Sequence, residues 1–261
     1  MTLRITSFVL LLLVSPGLLG QDFVDGDDPF EQQPEAADAR EGSFDDADPW
    51  EPFNRRVHNF NDFWDTWLLR PVASGYREVT PPAVNRSVSN FFSNLGELGN
   101  IVNNLLQGKG EGALISTGRF VFNSTFGVLG LFDVASHMEL ERQNEDFGQT
   151  LAVWGVGSGP YLVLPFAGPS TPRDATGMGV DYFGPTPSVT DYMEWPDYLY
   201  LRTLQVVDLR AGFIPAEQAM SGDPYIFIRN AYLQRREYQI QDGEVRDDPF
   251  ADGDDDFLDD F

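Results

Sequence analysis

Trp50, Phe53, Val57, Phe60, Trp64 and Trp67 fall at steps of three and four residues within DPWEPFNRRVHNFNDFWDTWLLRP, residues 48–71. That spacing puts six large apolar side chains on one face of a helix. Such a face has to lie against something. The two choices are a protein core and a membrane interface, where Trp, Tyr and Phe are favoured. Asp48 is placed to cap the helix, with Pro49 at its first position and Glu51 three residues after the cap. Pro71 is expected to stop it.

The same periodicity recurs downstream. A second helix is expected after Thr80, with Val84, Val88, Phe91, Leu95, Leu98, Val102 and Leu105 as its stripe and Gly96 and Gly99 as points of breakage or bending. QGKGEG at 107–112 reads as a turn. Helices are expected over 113–126, 147–154 and 196–213, after Thr171 as a cap, and after Asp223 as a cap for Pro224 onward. FGVLGLFDVAS, residues 126–136, is apolar but glycine-broken and has no definite state. No alternation is sustained enough for a sheet, beyond one short hairpin near 155–166. The fold class is mainly α.

No apolar run of about 20 residues follows the N-terminal segment, so no single helix is expected to span a bilayer. Residues 1–20 themselves read as a cleaved export signal: Arg4, a short apolar run from Ile5 to Val14, then small residues at Ser15, Gly17 and Gly20. Cleavage after Gly20 is preferred, leaving Gln21 first. Cleavage after Gly17 fits the small-x-small rule better, and an uncleaved tether is the remaining alternative. The net charge of −24 is concentrated at the ends, with −10 over residues 22–49 and −9 over 242–261. Leader 21–47 and tail 242–261 are therefore expected to be disordered and acidic, flanking a folded segment over 48–241. DGDDDFLDDF lacks calcium-loop spacing and reads as a solvated polyanion. No basic patch suits nucleic acid.

Chemistry is sparse. The chain has no cysteine and two histidines, His58 and His137. Neither disulfides nor cysteine zinc sites are available, and two distant histidines make a poor metal site. His58 lies off the aromatic stripe and reads as solvated or interfacial. G-x-S-x-G is absent. GVGSGP and LLQGKGEG lack the spacing of nucleotide-binding loops. No catalytic residue, metal or cofactor is expected.

Four blocks now carry a resemblance: DPWEPFNRRVHNFN with RPVA after it, RFVFNSTFGVLGLFDVAS, FGQTLAVWGVGSGPYLVLPFAGPSTPRD, and DPYIFIRNAYLQRREY. Spread in order over residues 48–238, they resemble the MlaA (VacJ) family of outer-membrane phospholipid-transport lipoproteins. The resemblance implies a ring-like disc of amphipathic helices lying in the inner leaflet of the outer membrane. A central channel would take mislocalised phospholipid from the outer leaflet. A trimeric porin would be one partner and a soluble periplasmic lipid carrier another. GVGSGPYLVLPF resembles the family's hairpin beside the channel, which implies a place on the lipid path for Gly155, Val156, Gly157, Gly159, Pro160, Tyr161, Leu162 and Pro165. The stripe of Trp50, Phe53, Val57, Phe60, Trp64 and Trp67 becomes the membrane-interface face. The departure is Gln21, where the family carries its lipidated cysteine; acylation there is not expected. The competing readings are a soluble periplasmic lipid-binding or scaffold protein of the same descent, and a periplasmic lipid hydrolase.

Overall fold

The computed structural model describes residue 44 and residues 47–183 and 197–243. The segment expected to be an export signal, most of the expected acidic leader and nearly all of the expected acidic tail lie outside the described residues.

The aromatic stretch forms α1 (Glu51–Trp64), a π-helical turn (Asp65–Leu69) and α2 (Arg70–Val79) without a break. Pro71 therefore does not stop the helix. It sits in the first turn of α2, just after the π turn, where a proline's missing N–H is tolerated. Nor does Asp48 cap α1: the cap position is Trp50, with no side-chain cap bond. The Asp48 carboxylate is drawn inward instead, where it accepts from Asn54 Nδ2 at 2.8 Å and from the Tyr225 hydroxyl.

Thr80 ends α2, and α3 (Pro82–Leu106) then runs unbroken through Gly96 and Gly99, about 37 Å of helix. A three-residue turn, with Gly108 at φ 77°, reverses the chain into α4 (Gly110–Thr125), which starts three residues earlier than its apolar pattern suggests. The two helices form a close-packed hairpin. Beyond α4 the ambiguous apolar stretch is a string of turns, with Val128 and Leu129 in the left-handed region, leading to a 3-10 turn (Ala135–Met138).

α5 (Phe147–Val153) is capped by Asp146, which accepts from Gln149 N at 2.9 Å. The hairpin follows as β1 (Leu162–Leu164) and β2 (Gly168–Ser170), antiparallel, with Val163 opposite Pro169. It sits later than expected. Gly155 and Gly159 adopt φ of 89° and 72°, so residues 155–159 are an exposed lead-in rather than a strand. Among the eight residues assigned to the hairpin only Leu162 lies in a strand; Pro165 is in the turn.

Thr171 caps α6 (Pro172–Phe183), its Oγ1 accepting from Asp174 N at 3.2 Å. α5 and α6 cross so closely that a Cβ on Gly177 would lie 2.3 Å from Gly148 N, which is why glycine stands there. α7 (Asp197–Phe213) packs on α2, a 3-10 turn (Ala216–Ala219) follows, and Asp223 caps α8 (Pro224–Ile240) by accepting from Tyr225 N at 2.9 Å. The apolar cores are small. One joins Tyr161, Val163, Tyr225 and Tyr232; the other joins Ala73, Val207 and Ala211.

Candidate functional site

The distribution of polarity is inverted. Among the described residues, twenty-one buried side chains are polar or charged and ten are apolar, while Trp, Phe, Leu and Val side chains crowd the surface. A chain folding in water does the reverse. The inversion is clearest on α3 and α4. On α3 the buried residues are Ser93, Asn94, Glu97, Asn100, Asn103 and Asn104, with Phe92 the one apolar member, and on α4 they are Ala113, Ser116, Arg119 and Asn123. Leu105, Leu114, Val121 and Phe126 point outward.

The buried charges form matched sets. Between α3 and α4, Arg119 donates through Nε to Glu97 at 2.8 Å and through Nη2 to Asp133 at 2.8 Å, with Ser136 Oγ and the Leu140 carbonyl as further acceptors. Burial alone would raise the Asp133 carboxyl, but Ser136, Arg119 and Asn123 outweigh it and hold it at about 2. At the α5–α6–α8 junction, Arg236 meets both oxygens of Asp146 and, at 2.9 Å, Asp174 Oδ1. Asp174 also accepts from Arg173 and from the Tyr232 hydroxyl at 2.7 Å. Burial would again raise Asp174; Arg236, Arg173 and Tyr232 keep it below the ordinary carboxylate range.

Two carboxylates, buried Asp208 and half-buried Asp181, differ because neutral donors hold them. Asp208 accepts from Tyr76 Oη at 2.9 Å and Ser89 Oγ at 2.7 Å, and burial pushes it up. Asp181 accepts from Phe147 N at 2.9 Å and Asn103 Nδ2 at 3.3 Å. Burial, with the charge of Asp146 adding to it, raises Asp181 to about 6. A raised carboxyl favours the folded state while protonated. Its contribution is complete below the unfolded value of about 4 and is lost as pH climbs through 6. The thermal midpoint in detergent is therefore expected to fall between about pH 4 and pH 7. Asp181→Asn should flatten that fall; an unchanged slope in the variant would assign it elsewhere.

The aromatic face divides. Trp50, Phe53, Phe60, Trp64 and Trp67 are exposed, Trp67 by 74 %. Val57 turns inward and packs against the tyrosine core. Phe63 and Leu68 join the exposed set. His58 is half-buried, edge-on to Tyr225 at 5.6 Å, and burial lowers its pKa. Of the eight hairpin residues, Gly155, Val156, Gly157 and Gly159 are exposed, Pro160 and Leu162 half-buried, Tyr161 buried and Pro165 exposed at the turn. The α1 stripe and the hairpin meet at Phe60, edge-on to Phe166 at 5.1 Å. The buried polar residues were not singled out from the sequence, although Asn94, Glu97, Asn100 and Asn104, and likewise Ser116, Arg119 and Asn123, recur at the helical steps that mark any helix face. Among the described residues no group of three or more His, Asp and Glu side chains is arranged to hold a metal, and no helix is long and apolar enough to cross a membrane.

Known proteins share this chain and its fold. The Escherichia coli protein named intermembrane phospholipid transport system lipoprotein MlaA is 37 % identical over 206 residues, covering 77 % of this chain and 81 % of its own length. The Haemophilus influenzae protein of that name is 34 % identical over 208 residues, covering 76 % and 81 %. A structure solved in work on the maintenance of bacterial outer membrane lipid asymmetry superposes with a TM-score of 0.63 at 36 % identity, covering 74 % of this chain and 98 % of the other. The MlaA lipoprotein family profile matches residues 46–239, essentially the whole helical segment, and the chain belongs to that family.

Proposed function

We propose that this protein is the outer-membrane component of a phospholipid transport pathway. It removes mislocalised phospholipid from the outer leaflet through a central channel and passes it to a soluble periplasmic carrier. A trimeric porin holds it in place. The observation that carries the reading is the inverted polarity: an apolar, aromatic exterior suits acyl chains, and charge-matched polar networks hold the helices together from inside. The relatives' names agree with that role.

In this reading the exposed α1 face, Trp50, Phe53, Phe60, Trp64 and Trp67, sits among lipid tails in the periplasmic leaflet. Five such side chains contribute roughly 7 kcal/mol at about 1.5 kcal/mol each, enough to matter beside a single acyl anchor, whose own binding is marginal. The segment Gly155–Pro165 borders the lipid path. Its exposed glycines let headgroups approach the backbone closely. The protein's task is passage rather than bond-making, so it is not an enzyme.

The test is surface phospholipid in cells lacking their own family member, with and without this gene. Restoration of a low level is expected. No restoration would remove the transport reading. A soluble carrier of the same descent would instead leave the outer-membrane fraction in a high-salt wash, whereas the embedded protein stays with it.

A further inference from the structure

Two asparagines on α1 do for the hairpin what a neighbouring strand would do. Asn54 accepts from Val163 N at 2.9 Å and donates to the Tyr161 carbonyl at 3.0 Å. Asn61 accepts from Phe166 N at 2.7 Å and donates to the Leu164 carbonyl at 3.0 Å. A side-chain amide has the donor and acceptor of a peptide group, so Asn54 pairs with the strand edge as a backbone segment does, and Asn61 pairs in the same way with the turn that follows. The unpaired edge of β1 is thereby closed by a helix. Asn54 is fully buried and also bonded to Asp48. Asn61 holds the more demanding residue: Phe166 stands at φ 62°, the left-handed region, with its ring edge-on to Phe60.

We propose that Asn54 and Asn61 are positioning residues for lipid passage: they lock the hairpin to the aromatic face of α1, so that the wall of the lipid path keeps one register on the membrane-facing helix. This rests on the transport reading above. Asn61 is the residue to test, because Asn54 also supports the core. Asn61→Ala removes both bonds to the turn and leaves every buried ion pair intact.

Three readouts separate the possibilities in cells lacking their own family member. Hydrogen exchange over residues 164–166 should quicken about tenfold in Asn61→Ala, as expected for one lost protecting bond. The thermal midpoint of the purified protein should move by no more than about 4 °C. Restoration of low surface phospholipid should be mostly lost at normal protein level. Asn61→Leu also removes both bonds while keeping the side-chain volume, and should give the same lipid defect, so it replaces Asn61→Ala if that variant fails to accumulate. The proposal is overturned if a folded variant exchanges faster at the turn yet restores surface phospholipid as well as the unmodified chain does. It is overturned equally if exchange does not change. Failure of the unmodified chain to restore would be the failure of the transport reading itself, which the variants' exchange rates do not share.

Discussion

Arg236→Met is expected to destabilise the protein by about 3–5 kcal/mol, the usual effect of removing one member of a buried ion pair. The guanidinium is 4 % exposed and is shared by Asp146 and Asp174, which close the junction of α5, α6 and α8. Without it two carboxylates stay buried with only neutral donors and Arg173 for company. Asp146 would also keep capping α5 while carrying an uncompensated charge. The pH dependence should change sign at this site. In the native protein Asp174 lies below its ordinary value, so its contribution is present at neutral pH and fades as pH falls through that lowered value. In the variant burial is left to push the Asp174 carboxyl up, and stability recovers as pH falls below neutrality and it takes up a proton. Denaturant unfolding in detergent at two pH values checks this. An exposed control, Arg56→Met, should change stability by less than about 0.5 kcal/mol. Equal behaviour of the two variants would mean that the buried network contributes little.

The second large effect concerns the membrane. The double variant Trp64→Ser, Trp67→Ser is expected to shift the protein out of the membrane fraction. Burying a large apolar side chain is worth about 1.5–3 kcal/mol, so two amount to about 3–6 kcal/mol and a partition change of roughly 10²- to 10⁴-fold. Folding should survive, because the ring neighbours of Trp64 and Trp67 are Phe60 and Phe63, themselves exposed on the same face. Partitioning of purified protein into phospholipid vesicles, followed by flotation, measures it. A double variant that floats with the vesicles as well as the unmodified chain would show that this face does not enter lipid.

Much of the secondary structure was legible because its punctuation is local. Thr171 and Asp223 cap helices where the sequence places them, and the four-residue helical steps of α3 and α4 are plain in their apolar stripes. Two local readings failed because tertiary demands won. Asp48 offers a cap but is pulled into the core by Asn54 and Tyr225, and Pro71 is absorbed by a π turn that no propensity announces. The largest element left open was solvent. Periodicity says which residues share a face, not whether that face meets water, protein or lipid, so the α3 stripe carries no sign that Val84 and Leu105 are exposed while Asn94, Glu97 and Asn100 are buried. Within the candidate site the exposed tryptophans were legible as a stripe. The arginine–carboxylate partners were not, because Asp146 and Arg236 lie 90 residues apart and nothing local joins them.

The pairing of α1 with the hairpin has a consequence for chain length. Seven residues of α-helix rise about 10.5 Å. Asn54 and Asn61 are seven apart, about two helical turns, so they lie on one side of α1, and the groups they hold are Tyr161 and Val163 on the β1 edge and Leu164 and Phe166 at the turn. Helix and hairpin thus meet at two fixed points, like two rulers whose marks coincide twice. Substitutions between the asparagines leave the coincidence intact. A single inserted residue turns Asn61 by about 100° around the helix and removes it, however conservative the inserted side chain. Over these eight residues the fold constrains spacing more tightly than side-chain chemistry.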